Sequence, residues 1–343
     1  MLQQIMTEPG KITFNKVPVS QPGKGEVLIK ILRIGVCGSD IHVNHGKHPY
    51  TSYPVTQGHE VSGTIDTIGV DVEGFTVGDL VTIQPQVICG VCYSCTHGGY
   101  HICDSLKVMG FQTTGMASEY FTCDAERVLK LPEMINPDEG AMVEPVAVAC
   151  HALSRSISVS GKKILVMGAG PIGNLVGQAA KGLGSEAVMI TDLSDFRLDL
   201  AKKVGLDYTV NPSREDLGEA ILTNFGTDKA DLILECVGVQ PTMEAAVLNA
   251  RKGTDIIVVG VFGDRPLVDL GLVQDHELRL IGTAMYQTCD YLQAIELIGK
   301  GLVQLKPLMT DHFPFMEYEK AYSYLDEQKD QAMKIFIDID RLY

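Results

Sequence analysis

Basic residues are scarce in this chain. Lys and Arg number 28 against 43 Asp and Glu, a net charge of −15, which argues against nucleic acid and anionic membrane as partners. No apolar run approaches the roughly 20 residues that a bilayer span needs. The first ten residues, Met1 to Gly10, lack a basic start and a cleavage-site pattern, so no signal peptide is expected. Neither an internal repeat nor a low-complexity linker interrupts the 343 residues. These absences point to a cytoplasmic protein, where thiols stay reduced. Nine cysteines in such a chain indicate metal or catalysis rather than disulfides. Hydrophobic content of 45% and charged content of 21% are ordinary for a globular protein, and the length admits two cores.

The texture changes near residue 160. Residues 1 to about 135 are β-rich: Glu26–Ile34, Glu60–Ile68 and Leu80–Gln84 are short, rich in β-branched residues and separated by turn formers, which predicts a small barrel or sandwich. From Lys163–Met167 onward, strands recur at Ala187–Thr191, Leu232–Glu235 and Ile256–Val259 with helical stretches between them. That alternation predicts a parallel sheet covered on both faces. A helix from Tyr291 to Gly299, a strand near Ile335–Asp338 and a helical segment between them complete an α/β chain.

Cys89, Cys92, Cys95 and Cys103 lie within fifteen residues. Four thiolates can wrap a tetrahedral zinc, and with four sulfurs the shell is closed, so this zinc would be structural. An iron–sulfur cluster also uses four cysteines, but no proline follows the last one and only one set exists. A metal-free loop is the remaining alternative.

A second constellation centres on Gly35–His42. Cys37 sits between two glycines where a strand ends, with Ser39, Asp40 and His42 close behind. A lone cysteine of this kind is more often a small buried side chain than a ligand. Gly58-His59-Glu60 and Glu144, which precedes Pro145, alter that balance. Cysteine, histidine and a carboxylate form a three-ligand zinc site with one open position, able to bind a substrate oxygen and acidify it. Ser39 and His42 could then carry a proton from that oxygen to the edge of the site. A surface histidine on a turn is the plainer reading of His42.

Gly168-Ala169-Gly170-Pro171-Ile172-Gly173 directly follows the Lys163–Met167 strand and opens a helix. In that context Gly168 makes the turn, Gly170 lets a pyrophosphate approach backbone, and Gly173 lets helix pack on strand, with phosphates at the helix N-terminus. Asp192 ends the next strand, placed to bond the ribose hydroxyls and repel a 2′-phosphate, which favours NAD over NADP. Arg197 nearby could greet a 2′-phosphate but is expected to lie along the adenine.

Taken together, these motifs resemble the zinc-dependent medium-chain dehydrogenases, over essentially the whole chain. Val143-Glu144-Pro145, Gly58-His59-Glu60 and Thr191-Asp192-Leu193-Ser194 are similar to the sorbitol, threonine and sugar-acid branch. The resemblance implies a GroES-like β-rich catalytic domain of residues 1–150 and 286–343, and a Rossmann domain, a doubly wound parallel sheet binding NAD, of residues 151–285. It implies one catalytic and one structural zinc. Cys37, His59 and Glu60 would ligate the catalytic zinc, and Glu144 would hold the zinc water or replace Glu60 in part of the cycle. Ser39 and His42 match the proton relay, while Ile172, Asp192, Arg197, the turn Val259-Gly260-Val261 and Thr283-Ala284 match cofactor contacts. It further implies a homodimer or homotetramer acting on a small-molecule alcohol, and exposed edge strands such as Leu267–Leu270 could pair across a two-fold axis.

The expected reaction oxidises a secondary alcohol of a polyol or sugar derivative to a ketone. Tyr50 and Glu144 are candidate substrate contacts. An arginine that animal sorbitol dehydrogenases carry beside a tyrosine is absent, since the corresponding place reads Ala284-Met285-Tyr286. The loop with His45, Lys47 and His48 resembles bacterial enzymes acting on gulonate- or galactonate-type sugar acids and could greet a carboxylate or phosphate; a solvated loop with scattered charge is the plainer reading. Threonine and butanediol are alternative substrates. A non-catalytic NAD-binding redox sensor is the alternative of another class.

Overall fold

Strand Glu26–Gly35 organises the first unit. Its run of Val27, Leu28, Ile29, Ile31 and Ile34 is buried, and β-branched side chains of this kind fit a pleated surface. It pairs antiparallel with Glu60–Ile68, Tyr120–Asp124 and Lys334–Asp338. In the computed structural model, which describes residues 1–328 and 331–341, these strands belong to a seven-stranded sheet. The path runs Met309–Pro314, Lys334–Asp338, Glu26–Gly35, Glu60–Ile68, Leu80–Ile83 and Val128–Lys130. One core joins Ile29, Ile31, Val61, Ile65 and Val81 to Phe315, Tyr318, Tyr322, Ile335 and Ile337. Residues far apart in the chain therefore share one apolar cluster. Truncating any one of these isoleucines to alanine would cost roughly 2–5 kcal/mol.

The second unit is a six-stranded sheet, parallel throughout, in the order Tyr208–Val210, Ala187–Thr191, Lys163–Met167, Leu232–Glu235, Asp255–Val258 and Arg279–Gly282. The strand order reverses between Lys163–Met167 and Leu232–Glu235. Ligands of open parallel sheets lie outside the carboxyl ends of the strands at such a switch point. Helices such as Pro171–Gly182, Leu217–Phe225 and Gln240–Asn249 connect the strands.

The units are Met1–Glu144 with the segment from Met309 onward, and Pro145–Leu308. These limits differ from the expected 150/151 and 285/286, and local contacts explain why. In the second unit Asp290 Oδ2 lies 2.8 Å from His151 Nδ1, and Gln304 N donates to Gln178 Oε1 at 2.7 Å. Leu297 and Leu302 crowd Gly182 so closely that a Cβ there would meet them at 3.0 and 3.2 Å. Helix Thr288–Gly299 is thus tied to the nucleotide unit.

Residues 267–269 form no strand. Asp269 instead caps helix Leu270–Asp275 by accepting from Leu272 N at 2.9 Å, and the sheet edge on that side is Arg279–Gly282. Among the described residues, no helix is long and apolar enough to cross a membrane.

Candidate metal centre and nucleotide turn

Sheet register assembles the first site. Gly35 pairs with Glu60 across one neighbouring strand and with Phe336 across the other. Cys37 follows immediately and stands at the N-terminus of helix Gly38–Asn44, a helix the sequence reading had not separated from the turn. Asp40 reaches back so that its Oδ2 accepts from Cys37 N at 2.9 Å, fixing the entry of the chain into the helix. Cys37 is half-buried, while His59 and Glu60 are buried. One ligand atom from each of the three lies within 4.8 Å of the others. Thiolate, imidazole and carboxylate at that spacing suit a zinc ion.

Asp40, and side chains that no sequence pattern singles out, hold this group. Asp40 is 1% exposed, and its Oδ1 accepts from Gln57 Nε2 at 3.2 Å and lies 3.6 Å from His59 Nδ1. Gln57 Oε1 in turn accepts from Tyr322 Oη at 2.9 Å, and Tyr322 packs on Tyr318 with ring centroids 5.3 Å apart. At 3.6 Å the Asp40 carboxylate makes no hydrogen bond to His59 Nδ1 and acts on the ring as a nearby charge. Burial alone would pull the His59 imidazole down. Asp40, and after it Cys37, outweigh this and raise it well above its ordinary value.

Glu60 has its own partner. Lys334 Nζ donates to Glu60 Oε1 at 2.8 Å and Oε2 at 2.6 Å, and both residues are buried. Burial would depress the Lys334 ammonium, but Glu60 first, then Cys37 and Glu144, hold it above its usual value. Glu144 is buried in the first turn of helix Val143–Ser154 and is not part of the three-residue group.

Ser39 is half-buried and His42 exposed, three residues apart on helix Gly38–Asn44. Residues at that spacing are neighbours on one helix face. The basic loop is not one cluster. His45 Nε2 pairs with Asp326 at 2.7 Å, and His48 bonds Thr51 Oγ1 at 2.7 Å and stacks on Phe111 at 4.7 Å. Phe111 also touches the His59 ring, 4.8 Å away. Tyr50 is 74% exposed and meets the His48 ring edge-on at 6.2 Å.

The four-cysteine group also converges, with ligand atoms of Cys89, Cys92, Cys95 and Cys103 within 4.8 Å of one another. Gly90 and Gly98 adopt φ of 73° and 81°, which lets the loop close on itself. Cys89 N and Ser105 N both point at Cys103 Sγ, at 3.3 and 3.4 Å. Backbone N–H groups of Asp104 and Cys95 bring the Cys92 thiol down to about 6, whereas burial and the neighbouring Cys92 and Cys103 push Cys95 up to about 12. Four thiols held this close cannot all ionise alone, and a divalent cation removes that conflict. The donor set and its closure fit a structural zinc.

In the second unit, Gly168 has φ 97° and a Cβ there would lie 2.5 Å from Val237 Cγ2. At Gly173 a Cβ would come within 1.8 Å of Gly168 O, so helix and strand can pack this closely only on glycine. Gly170 is different. Its Cβ would meet nothing nearer than Arg197 Nη1 at 4.0 Å, so nothing within the chain demands glycine there. A group resting on the N-terminus of helix Pro171–Gly182 would. Asp192 Oδ2 accepts from Ala169 N and Oδ1 from Ser194 N, at 2.8 and 2.9 Å, with Arg197 Nη1 3.7 Å from Oδ2.

Ile172 is half-buried in the first turn of that helix. The turn Val259–Val261 follows a strand end: Val259 N and Gly260 N both donate to Glu235 O at 2.8 Å. A Cβ on Gly260 would lie 2.2 Å from Gly238 N. Thr283 N donates to Val258 O at 3.2 Å, and Ala284 beyond it is exposed. Glu235, unforeseen from sequence, is wholly buried and braces this rim by accepting from Val237 N, Gly238 N and Thr242 Oγ1. Every residue of this second group therefore follows the carboxyl end of a parallel strand.

A seven-stranded unit bearing two candidate zinc groups, with a six-stranded parallel nucleotide-type unit inserted in it, defines an alcohol-dehydrogenase class of protein. The family model for the alcohol dehydrogenase GroES-like domain matches residues 23–133, and that for zinc-binding dehydrogenase matches residues 171–300. The chain is 37% identical to the 2-dehydro-3-deoxy-L-galactonate 5-dehydrogenase of Pseudoalteromonas atlantica, covering 96% of each. It is 34% identical to the sorbitol dehydrogenase of Halalkalibacterium halodurans, again over 96% of each. Among solved structures, a short chain alcohol dehydrogenase of Escherichia coli, complexed with NADH, matches with a TM-score of 0.91 and 30% identity over 99% of both chains. This chain belongs to the zinc-dependent medium-chain dehydrogenase family, and it is an oxidoreductase of alcohols.

Proposed function

We propose that this protein oxidises a secondary alcohol of a polyol or sugar derivative to a ketone, using NAD and a zinc ion held by Cys37, His59 and Glu60. The observation that carries the reading is the convergence of those three ligand atoms within 4.8 Å. Bound by Cys37, His59 and Glu60, a zinc ion would supply polarisation of the alcohol oxygen, and NAD would supply the hydride acceptor. Ser39 takes the hydroxyl proton and passes it to His42, whose exposure on the same helix face gives the proton an exit to water. Asp40 holds a charge beside the His59 ring. Glu144 and Tyr50 are the candidate substrate contacts of this unit.

In the second unit, the open space at Gly170 supports a pyrophosphate on the helix N-terminus. Asp192 favours a ribose bearing free hydroxyls, with Arg197 close beside it, and Ile172, Val259–Val261, Thr283 and Ala284 line the same strand ends. The 37% identity to a sugar-acid dehydrogenase puts sugar acids first among the sugar derivatives. The pairing of His45 with Asp326 leaves Lys47, exposed, as the cation of that loop most open to a carboxylate. A homodimer or homotetramer in the cytoplasm completes the reading. All nine cysteines are free, and Leu280 is exposed on the edge strand Arg279–Gly282.

Initial rates for a panel of sugar acids, polyols, threonine and butanediol, each with NAD and with NADP, test the proposal. Reduction of NAD by a sugar acid or polyol at least tenfold faster than by threonine is expected. No reduction by any panel member, in protein containing two zinc ions per chain, would refute it.

A further inference from the structure

We propose that Asn174 is a positioning residue that aims the Gly170 N–H away from the interior of the second unit, where the pyrophosphate of NAD can accept from it. The inference rests on the reading of the turn 168–173 as the pyrophosphate site. Asn174 follows Gly173 in helix Pro171–Gly182 and is fully buried, as are Leu175 and Val176 beside it. Packing alone would place an apolar residue here. An asparagine favours a helix less than a leucine does. Its Oδ1 is also buried with no hydrogen-bond partner among the described residues, which costs stability. What the side chain offers in return is its Nδ2, which donates to Ala169 O at 2.7 Å. A local choice that works against the fold marks a place where the chain is shaped for a ligand.

That bond fixes a peptide plane. Ala169 N donates to Asp192 Oδ2 at 2.8 Å, and Gly168 O lies against Gly173, so the plane before Ala169 is held from both sides. Asn174 holds the plane after it. In a trans peptide the carbonyl oxygen and the next N–H point in opposite directions. With Ala169 O turned to a buried amide, the Gly170 N–H is turned away from it. Among the described residues, Gly170 N has no acceptor within the chain. A Cβ at Gly170 would meet nothing nearer than 4.0 Å, so a ligand can come close. An oriented N–H at the start of a helix suits an anion. Without Nδ2, nothing in the chain keeps Ala169 O inward. The plane can then rotate and present a carbonyl, in place of an N–H, to the phosphate oxygens.

The test compares three ligands on the zinc-loaded full chain with no alcohol present. NADH binding is followed by its fluorescence, and ADP-ribose and adenosine are measured by displacing it. In Asn174→Leu, the dissociation constants of NADH and ADP-ribose should each rise about tenfold, near the worth of one hydrogen bond to a charged group. That of adenosine, which carries no phosphate, should stay within about twofold, and the thermal midpoint within about 3 °C of the parent. A merely structural role would instead weaken all three ligands alike and lower the midpoint. Asn174→Ala also lacks the donor, should show the same split between ligands, and decides the matter if Asn174→Leu does not fold. Unchanged NADH affinity in a folded variant, or an equal loss for adenosine, overturns the proposal. A parent that binds neither NADH nor ADP-ribose would instead refute the reading of the turn itself, so the two failures are distinguishable.

Discussion

The two cysteine-bearing groups of the first unit are built in opposite ways. The loop from Cys89 to Cys103 carries all its ligands within fifteen residues, closes its shell with four sulfurs, and is half exposed. The Cys37 group has one sulfur and lies where three strands meet. It depends on Asp40, Gln57, Tyr322 and Lys334 for its orientation. A closed local shell can stabilise a fold but has no position for a substrate. An assembled group with mixed donors can leave one open. The difference predicts that chemistry follows the set of outer partners more than the number of thiols.

The largest test of this contrast is Cys37→Ser. Turnover should fall by about three orders of magnitude, within the range lost when a metal's polarising role is removed. Zinc analysis should show one ion fewer per chain, and NAD affinity, measured by calorimetry, should stay within twofold. If Cys37→Ser also empties the four-cysteine loop, the two groups are not independent.

Cys95→Ser should act the other way round. The thermal midpoint of the first unit should drop by about 10 °C, a loss of roughly 3–5 kcal/mol for a unit of 150–250 residues, while the kcat of the protein still folded at 25 °C changes less than threefold. A collapse of kcat with an unaltered midpoint would show that the loop serves chemistry rather than the fold.

Smaller effects come from the outer partners. Asp40→Asn keeps an oxygen for Cys37 N but removes the charge behind His59. Zinc affinity and kcat should each fall roughly tenfold, and equilibrium dialysis that finds affinity unchanged would remove Asp40 from the metal's support. Smallest of all, Asp192→Ala should shift the NAD-to-NADP preference by about tenfold, near the worth of one charge-assisted hydrogen bond. Steady-state kinetics with both cofactors reads it directly, and an unmoved ratio would leave Asp192 only its bonds to Ala169 and Ser194.

How far each region could be read from the chain follows from the same contrast. The strands Glu26–Gly35, Glu60–Ile68 and Lys163–Met167 were visible in their β-branched runs, and the four-cysteine loop in its spacing, because those signals are local. The glycine turn was legible for the same reason. Helix Gly38–Asn44 was hidden by the glycines around Cys37, and only the reach of Asp40 to Cys37 N shows how it starts. Lys334 and Tyr322 carried no signal, since their partners lie 274 and 265 residues away. Gln57 and Asp40 stood near candidate ligands, yet an amide and a carboxylate at those places acquire meaning only from the strand register. The strand expected at Leu267–Leu270 failed because alternating apolar residues there lost to a side-chain cap on Asp269. The shift of 286–308 into the nucleotide unit came from contacts with Gln178 and Gly182 that no period announces.

The separation of Glu60 from Lys334 also sets an order of events at birth. On a chain leaving the ribosome from its N-terminus, Cys37, His59 and Glu60 emerge early, but the ammonium that neutralises Glu60 follows only after all of Pro145–Leu308. Units fold as they emerge, so the nucleotide unit can complete its sheet while the first sheet still lacks Lys334–Asp338 and the site still carries an unpaired carboxylate. The nucleotide-type unit can thus be complete before the candidate metal group has its last buried partner.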